Sequence, residues 1–133
     1  MRRDVVRRAG NRCEYCLIHQ HDAASRHQVD HVIAEKHGGA TTLDNLALSC
    51  LPCNRRKSSD IAANNPETGQ LTRLFNPRLQ KWEDHFQTNG PRIVGLTAEG
   101  KTTVEFLRLN SSERVLEREE LIRVERYPPL DAE

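Results

Sequence analysis

The stretch VDHVIAEKHGGATTLDNLALSCLPCNRRK, residues 29–57, decides how the rest of the chain is read. It opens with a carboxylate beside an imidazole, Asp30-His31, and carries Asn45 at its middle. It closes on Cys50-Leu51-Pro52-Cys53, followed at once by Asn54. The alternation in Gln28-Val29-Asp30-His31-Val32-Ile33-Ala34 predicts a strand with Val29 and Ile33 inward. Gly38-Gly39 breaks that strand into a loop. Thr42 is a candidate cap for a short turn through Leu43, Asn45 and Leu46, after which Ala47-Leu48-Ser49 returns as a second strand. A helix from about Asn54 to Ala63 is expected next, ended by the Asn-Pro-Glu-Thr-Gly turn at 65–69.

Upstream, residues 2–10 suit a short helix. Val5, Val6 and Ala9 share one face, arginines surround the rest, and Gly10 fits the stop. Asn11-Arg12 turns the chain into Cys13-Glu14-Tyr15-Cys16, a knuckle that matches the one at Cys50 and Cys53. Residues 19–28 are polar and without period, as in a loop. Downstream, Trp82–Gln87 and Arg92–Thr97 flank Thr88-Asn89-Gly90-Pro91 as a hairpin would. Thr102–Leu109 looks helical. Ser111 or Ser112 is placed to cap a last helix through Val124, with Val115, Leu116, Glu119 and Ile122 near helical spacing.

A chain of 133 residues holds one domain with at most a tail. Only 36% of it is apolar and 5% aromatic, so the core is modest and needs a staple. Four cysteines in two C-x-x-C pairs supply one. Zn²⁺ takes four thiolates in a closed tetrahedron, so Cys13, Cys16, Cys50 and Cys53 predict a structural zinc. All four cysteines are then used, and none remains as a nucleophile. A redox dithiol is the weaker alternative, since no βαβ pattern surrounds the pairs. No apolar run is long enough to span a membrane, and MRRDVVRRAGN has no apolar signal core, so a cytoplasmic setting with reduced thiols is expected.

The net charge of +1 does not by itself favour a polyanion partner. Its distribution says more, because basic groups gather at Arg2, Arg3, Arg7, Arg8 and Arg12 and again at Arg55, Arg56 and Lys57. Such clusters can meet phosphates; a solvated helix face is the plain alternative.

Hydrolysis of a phosphodiester needs a base for water, a group that holds the water in line, and a cation near the leaving oxygen. His31 suits the base, since imidazole titrates near neutrality. Asp30 is its neighbour on one strand and so points to the opposite face, which fits a ligand for a hard cation. The Asn54 amide oxygen can join it, and oxygen ligands of this kind suit Mg²⁺ or Mn²⁺.

The order Cys13-x-x-Cys16, Asp30-His31, Gly38-Gly39, Asp44-Asn45-Leu46, Cys50-x-x-Cys53-Asn54-x-x-Lys57 resembles the HNH endonuclease family over roughly residues 10–60. That resemblance implies a ββα-metal core, two antiparallel strands and a helix around a metal. It implies that His31 is the general base, that Asp30 holds the catalytic cation, and that Asn45 braces the loop and orients His31. The third letter of the family name is usually His; Asn54 stands there, as in the family's HNN variant. The implied reaction cuts DNA to a 5′-phosphate and a 3′-hydroxyl, and double-strand cleavage by one-site subunits needs a homodimer or two encounters. Leu74–Arg78, Trp82-x-x-His85-Phe86, Gly95-Leu96-Thr97 and Leu107-x-Leu109-Asn110 resemble the tail of a subset of bacterial HNH proteins.

The expected fold is therefore α+β: a zinc-stapled HNH core over residues 1–62 and a C-terminal extension of hairpin and helices over 63–133, packed on it. Arg55, Arg56, Lys57 and His37 are candidate nucleic-acid contacts. Plainer readings stand beside these. Asn45 can serve a turn, Asn54 can cap a helix, and His37 can be a loop residue. The rival function is a zinc-containing DNA-binding module with a degenerate, non-catalytic site.

Overall fold

The structure, a computed structural model, describes residues 1–130. Helix α1, Arg2–Ala9, ends at Gly10, whose φ of 63° lets its N–H turn back to the Arg7 carbonyl. Its buried Val5 packs with Leu46 and Leu48, and Val6, Ala9 and Val29 close around them. Strands β1, Gln28–His31, and β2, Leu46–Ser49, pair antiparallel with Gln28 opposite Ser49 and His31 opposite Leu46. Helix α2, Leu51–Lys57, follows directly. The two strands and the helix form a ββα unit in an α+β fold.

The first strand stops at His31 rather than running to Ala34. The next two residues leave the ladder because Asn45 captures them: Val32 N–H donates to the Asn45 carbonyl, and Ile33 N–H donates to its Oδ1. The helix after the second knuckle also differs from expectation. It begins at Leu51, with Cys50 as its N-cap and Pro52 in the first turn, where a missing N–H costs nothing. It ends at Lys57, because Ser58 takes φ 49°. Residues 62 and 63, expected to end that helix, instead open strand β3, Ala62–Asn64, paired with β4, Leu71–Arg73.

Beyond these lie α3, Trp82–His85, and the hairpin of β5, Phe86–Asn89, with β6, Arg92–Gly95. The turn residues are Gly90-Pro91, as the sequence suggests, but Trp82–His85 is a helical turn and not strand. Helix α4 runs over Ala98–Phe106, earlier than expected, because the Thr97 hydroxyl caps the Gly100 N–H. Helix α5, Ser112–Arg123, is capped by Ser111. Its inward face is not the apolar set. Arg114 and Arg118 are buried, while Leu116 is 58% exposed.

The larger core draws on both sides of residue 62: Cys13, Tyr15, Cys16, Ile18, Cys50 and Cys53 pack with Phe75, Phe86, Ile93, Leu107 and Leu109. Edge-to-face rings carry the join, Tyr15 on Phe75 and Phe75 on Phe86. Trp82 Nε1 donates to the Tyr15 carbonyl between the first pair of cysteines at 2.8 Å. Among the described residues, no helix is long and apolar enough to cross a membrane.

Candidate metal centre and active site

The four cysteine sulfurs are buried and lie within 4.8 Å of one another, with Cys16 and Cys50 at 3.6 Å. A tetrahedral site with Zn–S bonds of about 2.3 Å has sulfur–sulfur edges of roughly 3.8 Å, so the donor set fits zinc. Burial raises the Cys16 thiol, yet hydrogen bonding from Cys13, Cys50 and Cys53, with the Arg114 charge, holds it well below its ordinary value. The same sulfur contacts push Cys50 and Cys53 up. Four sulfurs this close cannot all be thiolates without a cation among them.

The positive charge nearest to them comes from the other end of the chain. The Arg114 guanidinium of α5 donates to Cys16 Sγ at 3.0 Å, Cys50 Sγ at 3.6 Å and Cys53 Sγ at 3.7 Å. Burial works against its charge, but Cys16, Cys53, Cys50 and Glu117 together hold its pKa above the usual arginine value. Tyr127 adds a hydroxyl bond to the Cys16 carbonyl at 2.9 Å. Arg114 was not legible as a site residue. Its only sequence signal is an arginine four positions before another, Arg118, on a helix whose apolar positions do not form a clean stripe.

The His31 ring stands at the end of β1, a quarter exposed, its Nε2 2.8 Å from the Thr41 hydroxyl. Thr41 has one proton and gives it to Glu35 Oε2 at 3.0 Å. The hydroxyl therefore accepts from His31, so the neutral ring carries its proton on Nε2 and its lone pair on Nδ1. Asn45 ties the intervening loop. Its Oδ1 accepts from Ile33 N–H at 3.0 Å, and its Nδ2 donates to Ile33 O at 2.9 Å and Ala40 O at 2.8 Å. Gly39 is needed in the same knot, because a Cβ there would lie 1.8 Å from Ile33 O and 2.7 Å from Asn45 Nδ2.

Asp30 sits opposite Ala47 on the face of the sheet turned to α2. Its Oδ2 is buried without a hydrogen-bond partner among the described residues, an open acceptor of the kind a hard cation fills. Burial pushes its carboxyl up; the Lys57 charge, the His31 N–H and the His31 ring offset part of the rise. Lys57 corrects one expectation. It does not stand in solvent with Arg55 and Arg56 but is 2% exposed, its Nζ donating to Val32 O at 2.9 Å. Burial lowers its pKa, with Asp30 and Asp60 holding the charge in place. A DNA phosphate does not reach an ammonium so enclosed.

Asn54 is half-buried three residues before Lys57, on the same side of α2 by i, i+3 spacing. Cys50 takes the capping place, so Asn54 does not cap the helix. Arg55 and Arg56 are exposed. His37 is exposed in the turn at Glu35–His37.

Residues 13–60 match the family model described as HNH endonuclease. Among curated proteins, the Septu protein PtuB of Bacillus thuringiensis is 24% identical over 114 residues, covering 84% of this chain and 42% of that relative. The chain thus spans about two fifths of the length of the curated relative it matches. No solved structure gives a significant match.

Proposed function

We propose that the chain, HNH-like over residues 13–60, is a divalent-metal-dependent endonuclease that hydrolyses DNA phosphodiester bonds. The observation that carries this reading is the state of two neighbouring side chains. His31 is held at Nε2 with Nδ1 left to accept a proton, and Asp30 next to it keeps a buried oxygen without a partner.

In this reading His31 Nδ1 takes the proton of a water that attacks phosphorus. Thr41 and Glu35 fix the ring's tautomer and offset the positive charge it gains. Asn45 and Gly39 hold the loop that carries Thr41 against the strand that carries His31. Mg²⁺ or Mn²⁺, held by Asp30 and Asn54, would supply positive charge beside the leaving 3′ oxygen. Arg55 and Arg56 lie exposed on the same helix as Asn54, where phosphates of the strand can meet them. The cysteine site stays closed and structural. One such site cuts one strand, so a double-strand break calls for two copies or two encounters.

The test is nicking of supercoiled plasmid by zinc-loaded protein with Mg²⁺ or Mn²⁺, beside His31→Ala prepared in the same way. Metal-dependent nicking lost by at least a hundredfold in His31→Ala, with zinc content kept, is the expected result. Binding of DNA without cutting by either protein, across metals and DNA forms, would replace this reading with a non-catalytic DNA-binding module. The Asn54 in place of histidine is what favours that alternative.

A further inference from the structure

The arginines of α1 and of the turn that follows it divide into two groups in the fold. Arg8 donates to the Leu43 and Leu46 carbonyls and Arg12 to the Leu17 carbonyl, so these two hold the structure together. Arg2, Arg3 and Arg7 are left, and Arg26 joins them from the segment before β1. The four surround one shallow concavity with Val6, Asn11 and Gln20, and no carboxylate lines it. None of the four is in an ion pair among the described residues. Arg2 has only a long contact to Gln20, 3.4 Å. Burial and the charge of Arg26 both lower its pKa, so the cluster works against itself. Two of the arginines also sit in the first turn of α1, where the helix dipole disfavours cations. Like charges kept together at such a cost, on a chain of net charge +1, call for an anionic partner.

The register of the sheet says which side of the molecule this is. Val29, like Val6 and Ala9 of α1, packs against the cluster of Val5, Leu46 and Leu48, so that face of β1 is the α1 face. His31, two residues on, shares it by the period of the strand. Helix and strand also run the same way: Arg8 reaches Leu46, which pairs with His31, while Arg2 meets Gln20 and Arg26, near the start of β1. From Gln28 to His31 is roughly 10 Å at strand rise. That is about three nucleotide steps of 3.4 Å along one strand.

We propose that Arg2, Arg3, Arg7 and Arg26 form a ridge that grips the sugar–phosphate backbone of the nucleic acid whose scissile phosphate lies at His31. The inference rests on the nuclease reading for its substrate, and it adds a contact surface on the α1 side of the ββα unit, beyond Arg55 and Arg56 of α2. Guanidinium groups suit it, since each can take a phosphate through two donors.

The test measures binding, not cutting. Zinc-loaded full chain without added divalent cation is titrated against a fluorescein-labelled 30-base-pair duplex at several salt concentrations. The quadruple variant R2Q/R3Q/R7Q/R26Q is compared with wild type and with K81Q/R92Q/R108Q/R123Q, which removes equal charge from exposed positions elsewhere. Zinc content and Trp82 emission check that each is folded. With close to 0.9 ion released per phosphate contact, removing four arginines should lower the salt slope by roughly 3.6 and weaken binding more than tenfold at low salt. The control variant should keep both near wild type. An unchanged slope in the ridge variant, an equal loss in the control, or no duplex binding by wild type each overturns the proposal. Loss of binding to phosphatidylserine vesicles with DNA affinity retained overturns it in favour of a membrane surface. Plasmid nicking is scored separately, so a protein that binds through the ridge but never cuts refutes the nuclease reading and leaves the ridge standing.

Discussion

Asn45 shows how much one side chain can carry when its polar atoms are all used. Its carboxamide meets two main-chain groups of Ile33 and one of Ala40, and its own carbonyl holds Val32. Those bonds end β1 at His31 and bring Thr41 to the ring. Asn45→Ala should therefore cost about 2 kcal/mol in stability, given three half-exposed bonds at roughly 0.5–1.5 kcal/mol each. Asn45→Asp should cost more despite its near-identical shape, since a carboxylate oxygen would face two carbonyl oxygens. Urea denaturation of the zinc-loaded proteins ranks the two, and plasmid nicking should fall at least tenfold in both. Lys57 makes the opposite point. As a letter it continues the basic run of Arg55 and Arg56, but its ammonium is buried at the Val32 carbonyl beside Asp30. A charge in a run is read as surface until its partners are known.

Among the elements, α2 and α5 matter most, because both meet the cysteines. Helix α2 contributes Cys53 and starts at Cys50, so the second knuckle and the helix start are one structure. Helix α5 contributes Arg114, whose three N–H···S contacts lay a positive charge against a tetrathiolate site that would carry excess negative charge with Zn²⁺ bound. Arg118, one turn on, donates to the Leu109 carbonyl and Asn110 Oδ1, and so fixes the helix that aims Arg114. Arg114→Met is expected to weaken zinc binding by about 10–100-fold, the usual effect of losing a partner behind the ligands. Arg114→Lys should recover part of this, since it keeps the charge but loses the fork of donors. Competition with a chromophoric chelator at fixed pH reads both. The shift of the helix after Cys53, from an expected Asn54–Ala63 to Leu51–Lys57, also belongs here. A helix start at a metal knuckle is set by the turn the ligands need, and capping preferences then count for less.

At the scale of the whole molecule the cysteine site is part of the main core and not an appendage. It packs with Phe75, Phe86, Leu107 and Leu109, and the single tryptophan reports on the join because Trp82 donates to Tyr15 between the first two cysteines. Removal of zinc by chelator, or by acid that protonates the thiolates, should unfold more than the knuckles. Trp82 emission should shift to the red in step with zinc release, and both should return when zinc is restored at neutral pH. Zinc release with unchanged emission would mean that the C-terminal half folds without the site.

Much of the candidate site's local geometry was legible in the sequence, for a physical reason. The cysteine pairs, Asp30-His31, Gly38-Gly39 and Asn45 act through a knuckle, a strand end and a loop closed on itself, and short-range spacing encodes such geometry directly. The α+β class and the β5–β6 hairpin were legible for the same reason, through alternation and turn residues. Only the tertiary structure decided the rest. It chose Arg114 and Arg118 over the apolar residues of α5 for burial, because the partners that enclose them lie 61 to 98 and 8 to 27 residues away in the chain. It withdrew Lys57 from the surface, and separated the arginines of α1 into those that tie loops and those left facing solvent. Local spacing specifies which groups can meet within a turn or a strand. Which charge is buried depends on what the fold brings over it, and that is settled only when distant segments pack.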